Sequence, residues 1–141
     1  MTRAAPLSLD LPDADATEAL GRRLAVLARP GDVILLDGPI GAGKSCLARA
    51  FIRARLGRME EVPSPTFTLV QVYEAGGIEL WHADLYRLSH PDEVWELGLD
   101  EAFQTGICLV EWPDRLGAHV PPDALRLRLE AAGEGRRATI S

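Results

Sequence analysis

Three groups of side chains in this sequence have the types and spacing to do chemistry. The first is Gly38-Pro39-Ile40-Gly41-Ala42-Gly43-Lys44-Ser45, which fits G-x-x-x-x-G-K-[ST]. Its glycines let backbone N–H groups curl round a phosphate with no Cβ in the way. Lys44 would reach the β- and γ-phosphates of a nucleotide, and the Ser45 hydroxyl would bind Mg²⁺. The second group is a pair of acids, Asp84 after Leu80-Trp81-His82-Ala83 and Glu111 after Leu109-Val110. A phosphate loop needs such partners, one to hold the metal through water and one to orient or activate an attacking water. The third is Thr66, in Pro63-Ser64-Pro65-Thr66-Phe67, at the place where other P-loop proteins carry a γ-phosphate sensor. Each has a plainer alternative: a chance glycine-rich turn, a solvated loop carboxylate, a turn hydroxyl.

The flanks decide in favour of the loop. Val33-Ile34-Leu35-Leu36 is wholly apolar with two β-branched residues, as a buried parallel strand requires. Cys46 to Leu56 has helical composition, with Leu47, Phe51, Ala54 and Ala50 on one face and Arg49, Arg53 and Arg55 able to reach water. Gly57 is a natural left-handed stop. The positive end of that helix faces the bound anion. Both acids end predicted strands, and ligands of open α/β sheets sit outside the carboxyl ends of their strands. Asp84 and Glu111 are therefore expected at the mouth of the loop.

Elsewhere, Leu7-Ser8-Leu9-Asp10-Leu11 alternates as an edge strand does. Asp15-Ala16-Thr17-Glu18 resembles a capping box, followed by a stripe of Leu20, Leu24, Leu27 and Ala28 and a stop at Arg29-Pro30-Gly31. Phe67 to Tyr73 and Ile78 to His82 read as a hairpin about Gly76-Gly77. Asp92 to Leu97 suits a short helix after Pro91, and Asp100 to Phe103 a further turn. Ile107 to Val110 is a second buried strand, Leu125 to Leu129 a half-exposed one, and Arg136 to Ile140 its antiparallel return. The expected fold is α/β: a P-loop NTPase-like mixed sheet, parallel at its centre and flanked by helices. His82 reads as a hydrogen-bonded structural group, His90 and His119 as loop residues, and Arg87 as a partner for phosphate or Asp84. Trp81, Trp95 and Trp112 read as core or pocket-wall residues.

With 141 residues, 47% apolar and 26% charged, the chain is expected to fold as a single domain over 1–141. Its net charge of −6 argues against direct binding of nucleic acid by phosphate neutralisation. Cys46 and Cys108 sit in apolar stretches without metal-ligand spacing, as small core residues of a reducing compartment do. No basic-then-apolar leader opens the sequence, and no apolar run approaches the ~18 residues of a membrane span. A cytoplasmic location without membrane contact is the expectation.

The P-loop, then Ser64-Pro65-Thr66-Phe67, then His82-Ala83-Asp84-Leu85-Tyr86-Arg87-Leu88, then Glu111-Trp112, together resemble the TsaE family. These are small bacterial ATPases of tRNA threonylcarbamoyladenosine formation, and the resemblance covers roughly residues 8 to 130. It implies nucleotide contacts along Pro39, Ile40, Gly41, Ala42, Gly43, Lys44, Ser45 and Cys46. Ser64 and Thr66 become the switch segment near the γ-phosphate, Asp84 the Walker-B-type acid, and Glu111 the second acid near Mg²⁺, so that Ser45, Asp84 and Glu111 serve the metal. It further implies ATP and Mg²⁺ as cofactors and the proteins TsaD and TsaB as partners, with tRNA met only through that complex. The family role is Mg-dependent ATP hydrolysis against TsaD–TsaB, slow alone and partner-activated, which resets the complex and transfers no carbamoyl group. The sequence departs from the family pattern twice: Pro39 stands where an acid is common, and Ser45-Cys46 replaces a pair of threonines.

Three other readings compete. A small-molecule kinase would carry a second substrate pocket and a basic lid, for which no arginine-rich insert is present. A GTPase switch would carry N-K-x-D, which has no match. A nucleotide-dependent binding module with negligible turnover fits the same residues, and Pro39 favours it by removing a carboxylate from the loop.

Overall fold

A computed structural model describes residues 7–39, 42–57, 62 and 69–141. Strands β1 (Leu7–Leu11), β2 (Val33–Asp37), β3 (Val70–Ala75), β4 (Ile78–Asp84), β5 (Ile107–Glu111), β6 (Leu125–Ala132) and β7 (Gly135–Ile140) form one sheet in the order β1-β7-β6-β2-β5-β4-β3. The β6-β2-β5-β4 centre is parallel. Its flanks are antiparallel, through the β6–β7 and β1–β7 pairs on one side and the β3–β4 hairpin on the other. The mixed sheet expected from the alternation of wholly apolar and half-apolar runs is the sheet observed. β1 and β3 are its edges. Gly76 and Gly77 both take positive φ in the hairpin turn, where a side chain would be strained.

Helices cover both faces. On one lie α1 (Ala14–Leu27) and α2 (Lys44–Leu56), packed over Ile34, Leu36, Leu80, Ile107, Leu109 and Leu127. On the other lie α3 (Glu93–Glu96), α4 (Leu99–Thr105) and the 3-10 segment Pro113–His119, over Val33, Leu35, Ala83, Cys108 and Val110. β2 and β5 are buried on both faces, so their sequences are apolar runs rather than alternating ones.

Several local expectations shift. The N-cap of α1 is Asp13, whose Oδ1 accepts from Ala16 N at 2.9 Å, two residues before the Asp15 expected from the capping-box pattern. The buried stripe of α1 runs through Thr17, Leu20, Gly21 and Ala25, and Leu27 is 67% exposed. Gly21 explains this rotation. A Cβ there would lie 2.6 Å from Leu47 O, so α1 crosses α2 at the one residue that permits such an approach. On α2, Leu47, Ala50 and Phe51 are buried as expected, but Ala54 is exposed and Ala48 and Ile52 are buried instead. Helix α2 is covered by both sheet and α1, which widens its buried arc, whereas Ala54 lies in an unfilled groove between the two helices. Trp95 is 41% exposed rather than a core residue. Gly57 ends α2 in the left-handed conformation, as expected.

Candidate phosphate-binding site

β2 delivers the chain to the phosphate loop. Asp37, its last residue, accepts from Gly38 N through Oδ1 at 2.9 Å, while its Oδ2 lies 3.2 Å from Arg128 Nη1 and 3.5 Å from Arg126 Nη1 on β6. Gly38 turns with φ +135°, and a Cβ there would collide with the Leu129 carbonyl. Gly43, at φ +101°, is the N-cap of α2, and a Cβ on it would lie 2.8 Å from Arg136 Nη1. Gly38 is thus required by space as well as by conformation, and Gly43 by its positive φ, since the Arg136 guanidinium beside it can move aside. Helix α2 begins at Lys44 with no side-chain cap, leaving its first N–H groups turned toward the loop.

Lys44 bends back into the turn that precedes it. Its Nζ donates to Gly38 O at 2.6 Å and stands 3.6 Å above the Trp112 ring. Burial pushes its pKa below the ordinary lysine value, against the opposing pull of Glu111, Asp84, Asp37 and Asp114. Among the described residues its direct contacts are one carbonyl and one ring face, and a partly desolvated ammonium so placed gains by meeting an anion.

The carboxyl ends of β4 and β5 bring in the acids. Asp84 and Glu111 are register partners across the parallel pair, and Leu36 of β2 is the partner of Glu111 on its other side. Both acids are buried, at 7% and 2% exposure, so the solvated-carboxylate alternative fails for each. Asp84, expected just past its strand, is the last residue of β4, and its Oδ1 accepts from Tyr86 N at 3.1 Å. Glu111 Oε2 lies 2.7 Å from His82 Nε2, and both side chains are almost wholly buried. Leu80, His82 and Asp84 share one face of β4 by its two-residue alternation, and Leu109 and Glu111 the matching face of β5. After Glu111 the chain turns sharply: Trp112 has φ +58° and ψ +55°, a costly conformation for a large side chain. That turn lays its indole under Lys44 and 4.9 Å from the Tyr86 ring.

The structure therefore gathers Gly43, Lys44, Asp84 and Glu111 at the carboxyl ends of the central strands. Ser45 follows Lys44 at the start of α2 and is partly exposed. Cys46 lines the groove between α1 and α2 together with Glu18, Arg22 and Arg49, and burial raises its thiol pKa. Pro39 is exposed, and its carbonyl accepts from Ala42 N at 3.2 Å. Ile40, Gly41, Ser64 and Thr66, each assigned a contact from the sequence, lie outside the described residues. Sequence reasoning missed Asp37, whose place as the last strand residue before the loop was the available signal. It also missed the hydrogen bond between His82 and Glu111 and the packing of Arg136 on Gly43. Neither long-range contact has a local signature.

The site has features expected of a nucleotide and its Mg²⁺. The ammonium, the helix start and the glycine turn suit phosphate. Among the described residues no group of three or more acids, histidines or cysteines forms a metal cage. Ser45, Asp84 and Glu111 carry the oxygens that could take part in holding a hard cation beside phosphate and water ligands.

The comparisons with known proteins agree with this architecture. A family model described as "Threonylcarbamoyl adenosine biosynthesis protein TsaE" matches residues 11–139. The chain is similar to a tRNA threonylcarbamoyladenosine biosynthesis protein TsaE of Bacillus subtilis, 40% identical over 124 residues, covering 87% of this chain and 77% of the relative. It is also similar to the protein of that name from Rickettsia conorii, 37% identical over 123 residues, covering 87% and 70%. The crystal structure of YdiB from Bacillus subtilis superposes with a TM-score of 0.81 at 32% identity, covering 99% of this chain and 87% of that one. Matched along nearly its whole length by sequence and by fold, this chain belongs to the TsaE family of tRNA threonylcarbamoyladenosine biosynthesis proteins.

Proposed function

We propose that this chain is the ATP-binding and ATP-hydrolysing component of tRNA threonylcarbamoyladenosine biosynthesis, acting on a complex of TsaD and TsaB. The observation that carries the reading is Lys44, a buried ammonium held between Gly38 O and the Trp112 ring with Asp84 and Glu111 at the same end of the sheet. Lys44 would exchange that lodging for β- and γ-phosphate oxygens, while backbone N–H groups at the start of α2 take the rest of the anion. Ser45 and Asp84 would hold Mg²⁺, which when bound neutralises charge on the β- and γ-phosphates. Glu111 would orient the attacking water, and Trp112 walls the site beside it. tRNA would be met only through the partner complex, as the net charge of −6 suggests. A cytoplasmic setting belongs to the same proposal, with the two free thiols in its support.

Phosphate release from Mg·ATP, alone and with TsaD and TsaB, tests this. The expected result is slow turnover alone, stimulation by the pair, and loss of both in Lys44→Ala. That variant should also weaken Mg·ATP binding by about 10- to 100-fold, the worth of a charge-assisted contact. Tight ATP binding with no turnover in either setting would replace the ATPase with the nucleotide-dependent binding module that Pro39 favours. Unchanged affinity in Lys44→Ala would remove the phosphate-loop assignment.

A further inference from the structure

We propose that His82 is the positioning residue for Glu111, holding one carboxylate oxygen so that the other works on water or metal; the inference rests on the ATPase reading of the site. Three observations carry it. His82 Nε2 lies 2.7 Å from Glu111 Oε2, with the two side chains 1% and 3% exposed. Both residues stand on neighbouring parallel strands, two positions before Asp84 and at the register partner of Asp84 respectively, so the pair is fixed by the centre of the sheet rather than by a loop. Finally, His82 Nδ1 is buried without a hydrogen-bond partner among the described residues.

The orphaned nitrogen assigns the tautomer. If Nδ1 carried the proton, a buried N–H would go unmet, and Nε2 would present a lone pair to the carboxyl group. If Nε2 carries the proton, it donates to Oε2 and Nδ1 is left as a bare lone pair, a lesser penalty than an orphaned donor. The geometry therefore has His82 Nε2–H donating to Glu111 Oε2. That bond fixes the rotation of the carboxylate and leaves Oε1 as the oxygen offered to the site. Orienting partners behind a ligating or water-holding carboxylate are commonly worth 10- to 100-fold in activity.

The test uses the full chain. In ¹⁵N-labelled wild type, two-bond ¹H–¹⁵N imidazole spectra, with His82 assigned by its loss in His82→Gln, should show the Nε2–H tautomer. An Nδ1–H tautomer, which presents no donor to Glu111, would overturn the proposal, and this arm needs no turnover. In phosphate release with TsaD and TsaB, His82→Leu should lose about 10- to 100-fold in kcat with KM for Mg·ATP changed less than about threefold. His82→Gln, whose amide N–H can reach the same carboxylate oxygen, should recover most of that loss. His82→Leu/Glu111→Gln should be no slower than Glu111→Gln alone, because the histidine acts through the glutamate. Independent, multiplying losses would overturn the proposal, as would a wild-type kcat in folded His82→Leu. Should His82→Leu fail to fold by circular dichroism, His82→Gln against Glu111→Gln and the tautomer decide. If wild type shows no turnover, the ATPase reading has failed, and the tautomer then decides the positioning contact on its own.

Discussion

Two histidine–carboxylate pairs in this molecule have the same length and opposite meaning. His82–Glu111 and His119–Asp92 both close to 2.7 Å. The first is sealed between β4 and β5 at the edge of the site. The second lies on the surface, with Asp92 70% exposed and the His119 ring resting edge-on at 4.5 Å from Trp95. Distance alone does not distinguish them, but the medium does. In the interior, the loss of one partner leaves the other desolvated with nothing to replace it. At the surface, water takes the vacated place and the pair is worth little. Apart from Thr17 on α1, the buried polar groups among the described residues, His82, Asp84, Glu111 and Lys44, lie on strands β4 and β5 and at the start of α2. Polar groups that are costly to bury and gathered at one end of a sheet argue for a functional end.

The largest expected effect tests that contrast by stability. Replacement of the buried histidine in His82→Leu should cost about 3 kcal/mol in urea unfolding, because Glu111 is left unpaired. A cost below about 0.5 kcal/mol would mean that water reaches Glu111 and that the two pairs are alike. A smaller effect of opposite sign is expected at Lys44. Its folded-state pKa lies below the unfolded value of 10.5, so the charged form is disfavoured by folding. That penalty is present at neutral pH and disappears as pH rises past 10.5. Lys44→Met should therefore raise Tm of the ligand-free protein slightly at pH 7, with the gain shrinking toward pH 10.5. The same variant should lose nucleotide. A fall in Tm would show that Gly38 O and the Trp112 ring more than repay the burial.

The sequence made one half of this comparison legible. The glycine spacing of the loop, the apolar runs of β2 and β5 and the hairpin at Gly76-Gly77 are local patterns, and each placed its element correctly. Asp84 and Glu111 were readable because a strand end is a local event, and parallel strands carry their ends to the same side. His82 read only as a hydrogen-bonded histidine, since its partner lies 29 residues away and is chosen by strand register. The same holds for Asp92 and His119, separated by 27 residues, the first read as the start of a short helix and the second as a loop residue. Rotation of α1 away from its predicted stripe has a like cause: the crossing at Gly21 is set by α2, not by the helix's own periodicity. Long-range register converts local motifs into a site, and it leaves no trace in any single window of sequence.

The smallest effect belongs to the surface pair, and its pH dependence can be signed. The hydrogen bond from His119 holds the Asp92 carboxyl below its ordinary value of 3.8. A carboxyl depressed in the folded state contributes stability that is present above the unfolded pKa and is lost as pH falls through the folded one. The Tm difference between wild type and Asp92→Asn should therefore be about 1 °C or less at pH 6, persist to about pH 4, and vanish in stronger acid. Solvent screening keeps it that small, and 0.5 M salt should reduce it further. His82→Leu under the same added salt supplies the contrast, since its cost is shielded by burial. If salt were to erase the effect at His82 as readily as at Asp92, the distinction between the two pairs would be one of position only. The site would then have to be regarded as open to water even in the absence of nucleotide.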